Sequence, residues 1–301
     1  MGRQARALLP GSLRHRGIPD PALDEVVHSD AAAREKPRGR GAEFPGKEEQ
    51  VAQSTHEAPL LEVRNVERRF GALVAVNDVS FSVPAGQVFG IAGPNGSGKS
   101  TLFNVMTGIP FGPSGGKVLL EGREIQHLRA HEISRAGIAR TFQKDAEFAT
   151  LSAFENAYAS AVYCAGLSGA QARDEAAKAL DDVGLGEERR DKTAGDLTVF
   201  ERKQLMIASA IAGRPRILLL DEPAAGLTRP EVSALAELIR TVNGRGVTVL
   251  LIEHVLPLLL SVSQHLMILN HGSVIASGKP AEVVRDPQVV EAYLGKREAA
   301  L

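Results

Sequence analysis

The chain has 301 residues, 44% of them hydrophobic and 24% charged, an ordinary globular composition with material for a sizeable core. Lys and Arg total 35 against 36 Asp and Glu, a formal net charge of −1, which excludes a nucleic-acid binder working by bulk charge. The single cysteine, Cys164, excludes a disulfide framework and a cysteine-based zinc cluster.

Residues 1–58 differ in character from the rest of the chain. They hold nine Lys/Arg and nine Asp/Glu with scattered Pro and Gly and no periodic apolar face, which predicts a disordered N-terminal extension. Arg3, Arg6, Arg14 and Arg16 precede the first acid, but the apolar cluster 7–9 is too short for a signal-peptide core. The extension is read as a flexible tail or an over-long start of translation. Order is expected from residue 59 to residue 295, with 296–301 as a short C-terminal tail.

Leu61, Val63 and Val66, then Val74, Val76, Val79, Phe81 and Val83, alternate as strands do, with turn residues between. Residues 88–92 form a short apolar run that ends in glycine-rich sequence, and a helix is predicted from residue 100. Residues 118–120 with Glu121 and Gly122 read as a strand and turn. From 153 to 183 the pattern becomes helical and alanine-rich. The runs 217–220 and 247–252 are continuously apolar, as strands buried on both faces are. Helices are predicted at 230–242 and 280–294. No apolar run reaches the roughly 18 residues of a membrane span. The nearest, 247–260, is interrupted by Glu253, His254 and Pro257, so a role at a membrane needs a partner. Strands alternating with helices imply an α/β fold with a mainly parallel sheet, and residues 147–212 read as a helical insertion. No internal repeat is visible.

Gly93, Pro94, Asn95, Gly96, Ser97, Gly98, Lys99, Ser100 and Thr101 match G-x-x-x-x-G-K-[ST], between an apolar run and a helical pattern as that motif requires. Glycines let main-chain N–H groups turn inward around phosphate oxygens, and the next helix directs its positive end at the same anion. Lys99 reaches the β- and γ-phosphates, and the Ser100 hydroxyl is a magnesium ligand. Asp221 ends the run 217–220 and Glu222 comes directly after it. A carboxylate at the end of a buried strand is costly unless paired or metal-bound; a Mg²⁺ shared by Ser100 and Asp221 meets that need, and leaves Glu222 to activate a water for attack on the γ-phosphorus.

From about residue 60 to residue 295 this pattern resembles the nucleotide-binding domain of ABC transporters. The resemblance implies a P-loop NTPase fold with a mainly parallel core sheet, an antiparallel β-subdomain and a helical signature subdomain, with ATP and Mg²⁺ as ligands. Further motifs fall in the family's order. Arg140-Thr-Phe-Gln143 resembles the loop whose glutamine contacts Mg²⁺ and the attacking water and meets the membrane subunit. Glu222-Pro-Ala-Ala-Gly-Leu227 resembles the segment leading into the dimer-contact loop. Ile252-Glu-His254 resembles the switch histidine that contacts the γ-phosphate, and Phe70 stands where an aromatic stacks on adenine. Within the family, the stretches 70–81, 139–143, 221–227 and Glu291-Ala-Tyr-Leu-Gly295 are most similar to ATP-binding subunits of branched-chain amino acid uptake systems. Subunits serving urea, amides or other small solutes look much the same. The implied partners are a second ATP-binding subunit, transmembrane permease subunits and, indirectly, a solute-binding protein. The implied place is the cytoplasmic face of the cell membrane.

One stretch departs from the family. Where Leu-Ser-Gly-Gly-Gln is usual, this chain has Leu197, Thr198, Val199, Phe200 and Glu201. Thr198 retains a hydroxyl, and Thr198 with Glu201 has capping-box spacing, which predicts a helix start here. Val199 is stiff and Phe200 adds bulk where the family has two glycines. In the resemblance this segment completes the partner's ATP site, acting in trans. Its alteration favours a heterodimer with one strong and one weakened site over a homodimer; the alternative is that threonine and main-chain N–H groups suffice. A subunit that binds ATP as a switch with weak hydrolysis is the remaining alternative, and Glu222 argues against it. A soluble P-loop kinase would not need Gln143, His254 and a helical insertion in this order. Non-transport relatives carry two fused cassettes or a long coiled coil, and one phosphate loop and no heptads occur here.

Overall fold

The computed structural model describes residues 58–142 and 147–294. The N-terminal extension, Gln143 and Gly295 lie outside the described residues.

β1 (Leu61–Phe70) turns at Gly71 into β2 (Leu73–Val83), its antiparallel partner. β3 (Val88–Ala92) leads through the glycine-rich loop into α1 (Lys99–Thr107). β4 (Gly115–Leu120) returns to pair with the other edge of β1, and β5 (Arg123–Glu124) closes a four-stranded antiparallel sheet in the order β2-β1-β4-β5. The turn between β4 and β5 falls at Glu121 and Gly122, both at positive φ, where the sequence predicts it. α2 (Ala130–Arg135) and the three-residue β6 (Ile138–Arg140) come next.

The helical insertion holds α3 (Ala153–Tyr163), α4 (Gly169–Asp182), the short α5 (Glu187–Arg190) and α6 (Val199–Ala212). Alanine dominates its interior: Ala153, Ala157 and Ala161 on α3 face Ala172, Ala176 and Ala179 on α4, all buried. Small side chains at spacings of three and four place one stripe per helix on the contact and let the helices approach closely.

After the insertion the chain forms β7 (Ile217–Asp221), α7 (Arg229–Gly244) and β8 (Thr248–Ile252). α7 starts at Thr228 with a capping box to Glu231 and has Pro230 in its first turn; its buried stripe is Leu235, Leu238, Ile239 and Val242. α8 (Leu256–Val262), β9 (His265–Asn270), β10 (Ser273–Gly278), α9 (Pro280–Val283) and α10 (Pro287–Leu294) complete the described chain. The single helix expected over 280–294 is two, because Pro287 lacks a donor and forces Asp286 out of the helical region. The Asp286 carboxylate instead accepts the Gln288 N–H at 2.8 Å and starts α10.

The core sheet runs β10-β9-β3-β8-β7-β6, parallel from β9 to β6 with β10 antiparallel at one edge. Its inner strands β3, β7 and β8 are buried on both faces, which explains the continuous apolar runs. Alternate residues enter two separate cores. Leu218, Leu220, Val249, Leu251, Leu266 and Ile268 face the helical insertion, α7 and α8. Ile217, Leu219, Leu250, Ile252, Met267 and Leu269 face α1 and the antiparallel sheet. No helix among the described residues is long and apolar enough to cross a membrane.

Candidate nucleotide site

β3, β8, β7 and β6 lie side by side and end at the same edge of the sheet. Ligands of open α/β sheets bind outside such carboxyl ends, and the phosphate loop, His254, Glu222 and Arg140 stand at the ends of these four strands in turn. The loop is tightly seated. A Cβ on Gly93 would lie 2.1 Å from the Leu269 carbonyl oxygen and one on Gly98 2.3 Å from that of Ala75, and both sit at positive φ, so neither position admits a side chain. α1 has neither a side-chain cap nor an acidic residue in its first turn, which leaves its N–H groups facing an incoming anion.

Lys99 is buried. Its Nζ donates to the Gly93 carbonyl at 2.8 Å and to the Pro94 carbonyl at 3.0 Å, which holds the ammonium under the loop. Burial pulls its pKa below the usual 10.5, opposed by the negative charges of Glu222 and Asp221. The Ser100 hydroxyl stands 3.5 Å from Asp221 Oδ1. These are hard oxygen donors facing each other, the donor type magnesium takes. Among the described residues no group of three or more His, Cys, Asp or Glu could hold a metal alone. Ser100 and Asp221 thus fit an ion that also takes phosphate oxygens and water as ligands.

Glu222 adopts φ +50, uncommon for a residue with a side chain and frequent at functional sites. Its main-chain N–H donates to the Ile252 carbonyl at 2.9 Å, which ties the end of β7 to the end of β8. His254, two residues beyond β8, is exposed. Between them lies Glu253, fully buried. Its carboxylate accepts main-chain N–H groups from Ala224 at 2.7 Å, His254 at 3.2 Å and Val255 at 3.5 Å. Burial pushes its pKa up, opposed by those donors and by His254.

A cleft of about 870 Å³ brings Phe70, Gly93, Pro94, Asn95, Gly96, Ser97, Gly98, Lys99, Ser100, Thr101, Glu222 and His254 to one surface. Phe70 meets Phe111 edge-on at 4.9 Å between centroids and carries the Arg68 guanidinium at 4.7 Å. Asp221 is not on this lining; it reaches the site through Ser100.

Three residues near the site escape a reading of the sequence. Arg140 donates to Asp221 Oδ2 at 2.7 Å, both side chains being almost fully buried. Glu253 is the second. The third, Tyr293 on α10, lines the cleft; burial pushes its phenol pKa up, with the Gly93 amide opposing. Arg140 and Tyr293 belong to stretches that carry the family resemblance, but nothing local assigns their contacts.

Residues 198–201 do not line the cleft. They form the start of α6, where Thr198 Oγ1 accepts from the Glu201 N–H at 3.2 Å and Glu201 Oε2 accepts from the Thr198 N–H at 2.9 Å. Glu201 is further held by Arg189 Nε at 2.6 Å. Phe200 packs onto the helical-side core while Val199 is exposed. The bulk expected at the altered signature is therefore turned inward, and only the valine faces out. A separate groove of about 270 Å³ lies between the sheet edge and the insertion, lined by Ile109, Ile133, Arg140, Phe142, Phe148 and Met206 among others.

Residues 76–225 match the family described as ABC transporter, and residues 273–299 match the family described as branched-chain amino acid ATP-binding cassette transporter. The high-affinity branched-chain amino acid transport ATP-binding protein BraF of Pseudomonas aeruginosa is 41% identical over 253 residues, covering 79% of this chain and 98% of that protein. The chain belongs to the ABC transporter ATP-binding family. Among solved structures, the ADP conformation of MJ1267, an ATP-binding cassette of an ABC transporter, superposes with a TM-score of 0.72 at 32% identity, over 80% of this chain and all of that one. A dimeric post-hydrolysis ATP-binding cassette, MJ0796 bound to ADP and Pi, superposes at 0.65 with 25% identity over 73% and 98%. This ABC ATPase thus has the P-loop cassette fold anticipated from its motifs, and it is similar to ATP-binding subunits of branched-chain amino acid transport.

Proposed function

We propose that this ABC ATPase powers uptake of branched-chain amino acids, or of a similar small polar solute, through separate permease subunits at the cytoplasmic face of the cell membrane. The observation that carries the reading is the convergence of Lys99, Ser100, Glu222 and His254 on one cleft edge. ATP would lie along the phosphate loop with its adenine against Phe70. A magnesium ion held by Ser100 and Asp221, and contacted by Gln143 as the family resemblance implies, would supply positive charge to the phosphate oxygens. Glu222 takes the proton of the attacking water, His254 steadies the departing γ-phosphoryl, and Lys99 neutralises charge building on the β- and γ-oxygens. Two subunits close around two ATP molecules, each lending its 198–201 segment to the other. The groove beside Phe142 and Phe148 takes a permease segment and carries closure to it; a solute-binding protein delivers cargo on the far side.

A heterodimer remains favoured, because the exposed Val199 replaces a glycine at the surface offered to the partner's ATP. The second reading, a nucleotide switch with weak hydrolysis, rests on the same residue. One experiment separates them: Mg-ATP hydrolysis by the purified chain over a range of protein concentrations, with Glu222→Gln as control. Activity rising more steeply than linearly and vanishing in the control establishes a working homodimer. Retained ATP binding with negligible turnover, relieved by a partner subunit with an intact signature, establishes the heterodimer. No relief leaves the switch, and absent ATP binding refutes the reading.

A further inference from the structure

We propose that Arg140 is the positioning residue of the metal carboxylate, holding Asp221 by one oxygen so that the other stays aimed at Ser100. The inference rests on reading Ser100 and Asp221 as the metal donors, and its test separates the two.

The Asp221 carboxylate has two distinct faces. Oδ2 accepts from one terminal nitrogen of Arg140 at 2.7 Å, and Oδ1 stands 3.5 Å from the Ser100 hydroxyl. The other terminal nitrogen of Arg140 donates to Asn104 Oδ1 at 2.8 Å and to Thr107 Oγ1 at 3.3 Å, both on α1. The guanidinium also lies 5.6 Å from the Phe103 ring centre and 5.1 Å from that of Phe142. Two hydrogen-bonded arms and two rings fix the plane of the group, and that plane fixes the carboxylate. A planar fork does this; a lysine, with one nitrogen on a flexible stem, cannot span Asn104 and Asp221 at once. Outer partners of this kind orient metal ligands and govern how well the ion is held.

The position of Arg140 adds a second consequence. Its strand, β6, is followed by Thr141 and Phe142, while its partners belong to the helix after the phosphate loop and to the end of β7. One side chain therefore sets the metal carboxylate relative to the phosphate loop. A charge partner that merely neutralised Asp221 would need only proximity; this one is held in register from both sides.

The test measures the affinity of the Glu222→Gln protein for a fluorescent ATP analogue with excess Mg²⁺ and with EDTA. The ratio of the two affinities reports what the metal contributes without any turnover. Arg140→Met should lower that ratio about 10- to 100-fold, as loss of an outer-shell partner does, with the EDTA affinity little changed. Arg140→Lys, which keeps the charge and protects against misfolding, should lower it several-fold. Asp221→Asn should remove most of the metal dependence, and adding Arg140→Met to it should change little further. An unchanged or raised ratio in folded Arg140→Lys or Arg140→Met overturns the positioning role. A full metal dependence in Asp221→Asn overturns the metal reading itself, and the proposal with it.

Discussion

Lys99 illustrates how a single ammonium is prepared for its task. It is buried and held by two loop carbonyls, so a phosphate replaces existing contacts and needs no search by a mobile chain. Lys99→Ala should abolish ATP binding or turnover, and unchanged hydrolysis in a folded variant would refute the site. Glu222→Gln should still bind ATP but accumulate a closed dimer, visible by size-exclusion chromatography with ATP present. Lys99 was legible in the sequence from the glycine-rich motif around it, and Asp221, Glu222 and His254 because each stands at or just past an apolar run that had to be a strand, and parallel strands deliver their C-terminal residues to one edge. Arg140 was not, since its partner lies 81 residues away and no spacing rule connects them. Gln143 lies outside the described residues, so its expected contacts belong to the proposal alone.

Helix starts show the same division. The capping box at Thr198 and Glu201 could be read from four letters, and its geometry is local. Thr198→Ala should cost about 1 kcal/mol, within the roughly 0.5–2 kcal/mol range for such caps, measured by denaturant unfolding. The interior of the insertion makes a sharper demand. Ala176 on α4 is fully buried in an interface built of alanines, so Ala176→Leu should overpack it and cost about 1–3 kcal/mol, whereas a comparable change on an exposed face should be near neutral. β6, α8, β9 and β10 were missed for physical reasons. β6 has three residues, too few to show a period. α8 has seven residues, under two turns, of which Leu258, Leu259 and Val262 are buried, too short a span to show a helical period beside the apolar residues of β8 and β9.

At the scale of the molecule, charge is placed to favour the fold near neutral pH. Main-chain N–H groups at helix starts hold the carboxyls of Glu132, Glu155, Glu201 and Glu231 below their ordinary 4.5. A carboxylate with a depressed folded pKa contributes stability above its unfolded value, and that contribution is lost as pH falls through the folded value. Glu253 runs the other way: burial raises its pKa, so its contribution is full below 4.5 and declines as pH rises through the folded value. The helix-start carboxyls outnumber it and predict a melting temperature that falls as pH drops below about 4.5. Glu253→Gln should remove the opposite slope above that pH. A melting temperature flat between neutral pH and well below 4.5 would contradict this placement. The two cores on either side of the sheet were visible in the sequence only as continuous apolar runs; their separation required knowing the order of the strands.

The Glu253 carboxylate has a consequence for how variation can reach the site. All of its donors are amides of the chain itself, supplied by Ala224, His254 and Val255 whatever their side chains are. Substitution at those three positions leaves the clasp closed unless it introduces proline, the one residue with no amide hydrogen to offer. The bond that keeps the segment after Glu222 beside the segment carrying His254 therefore has one genetic address for its acceptor. Drift at Ala224 and Val255 leaves the clasp intact, and a change at position 253 removes the acceptor that holds the segments after Glu222 and around His254 together.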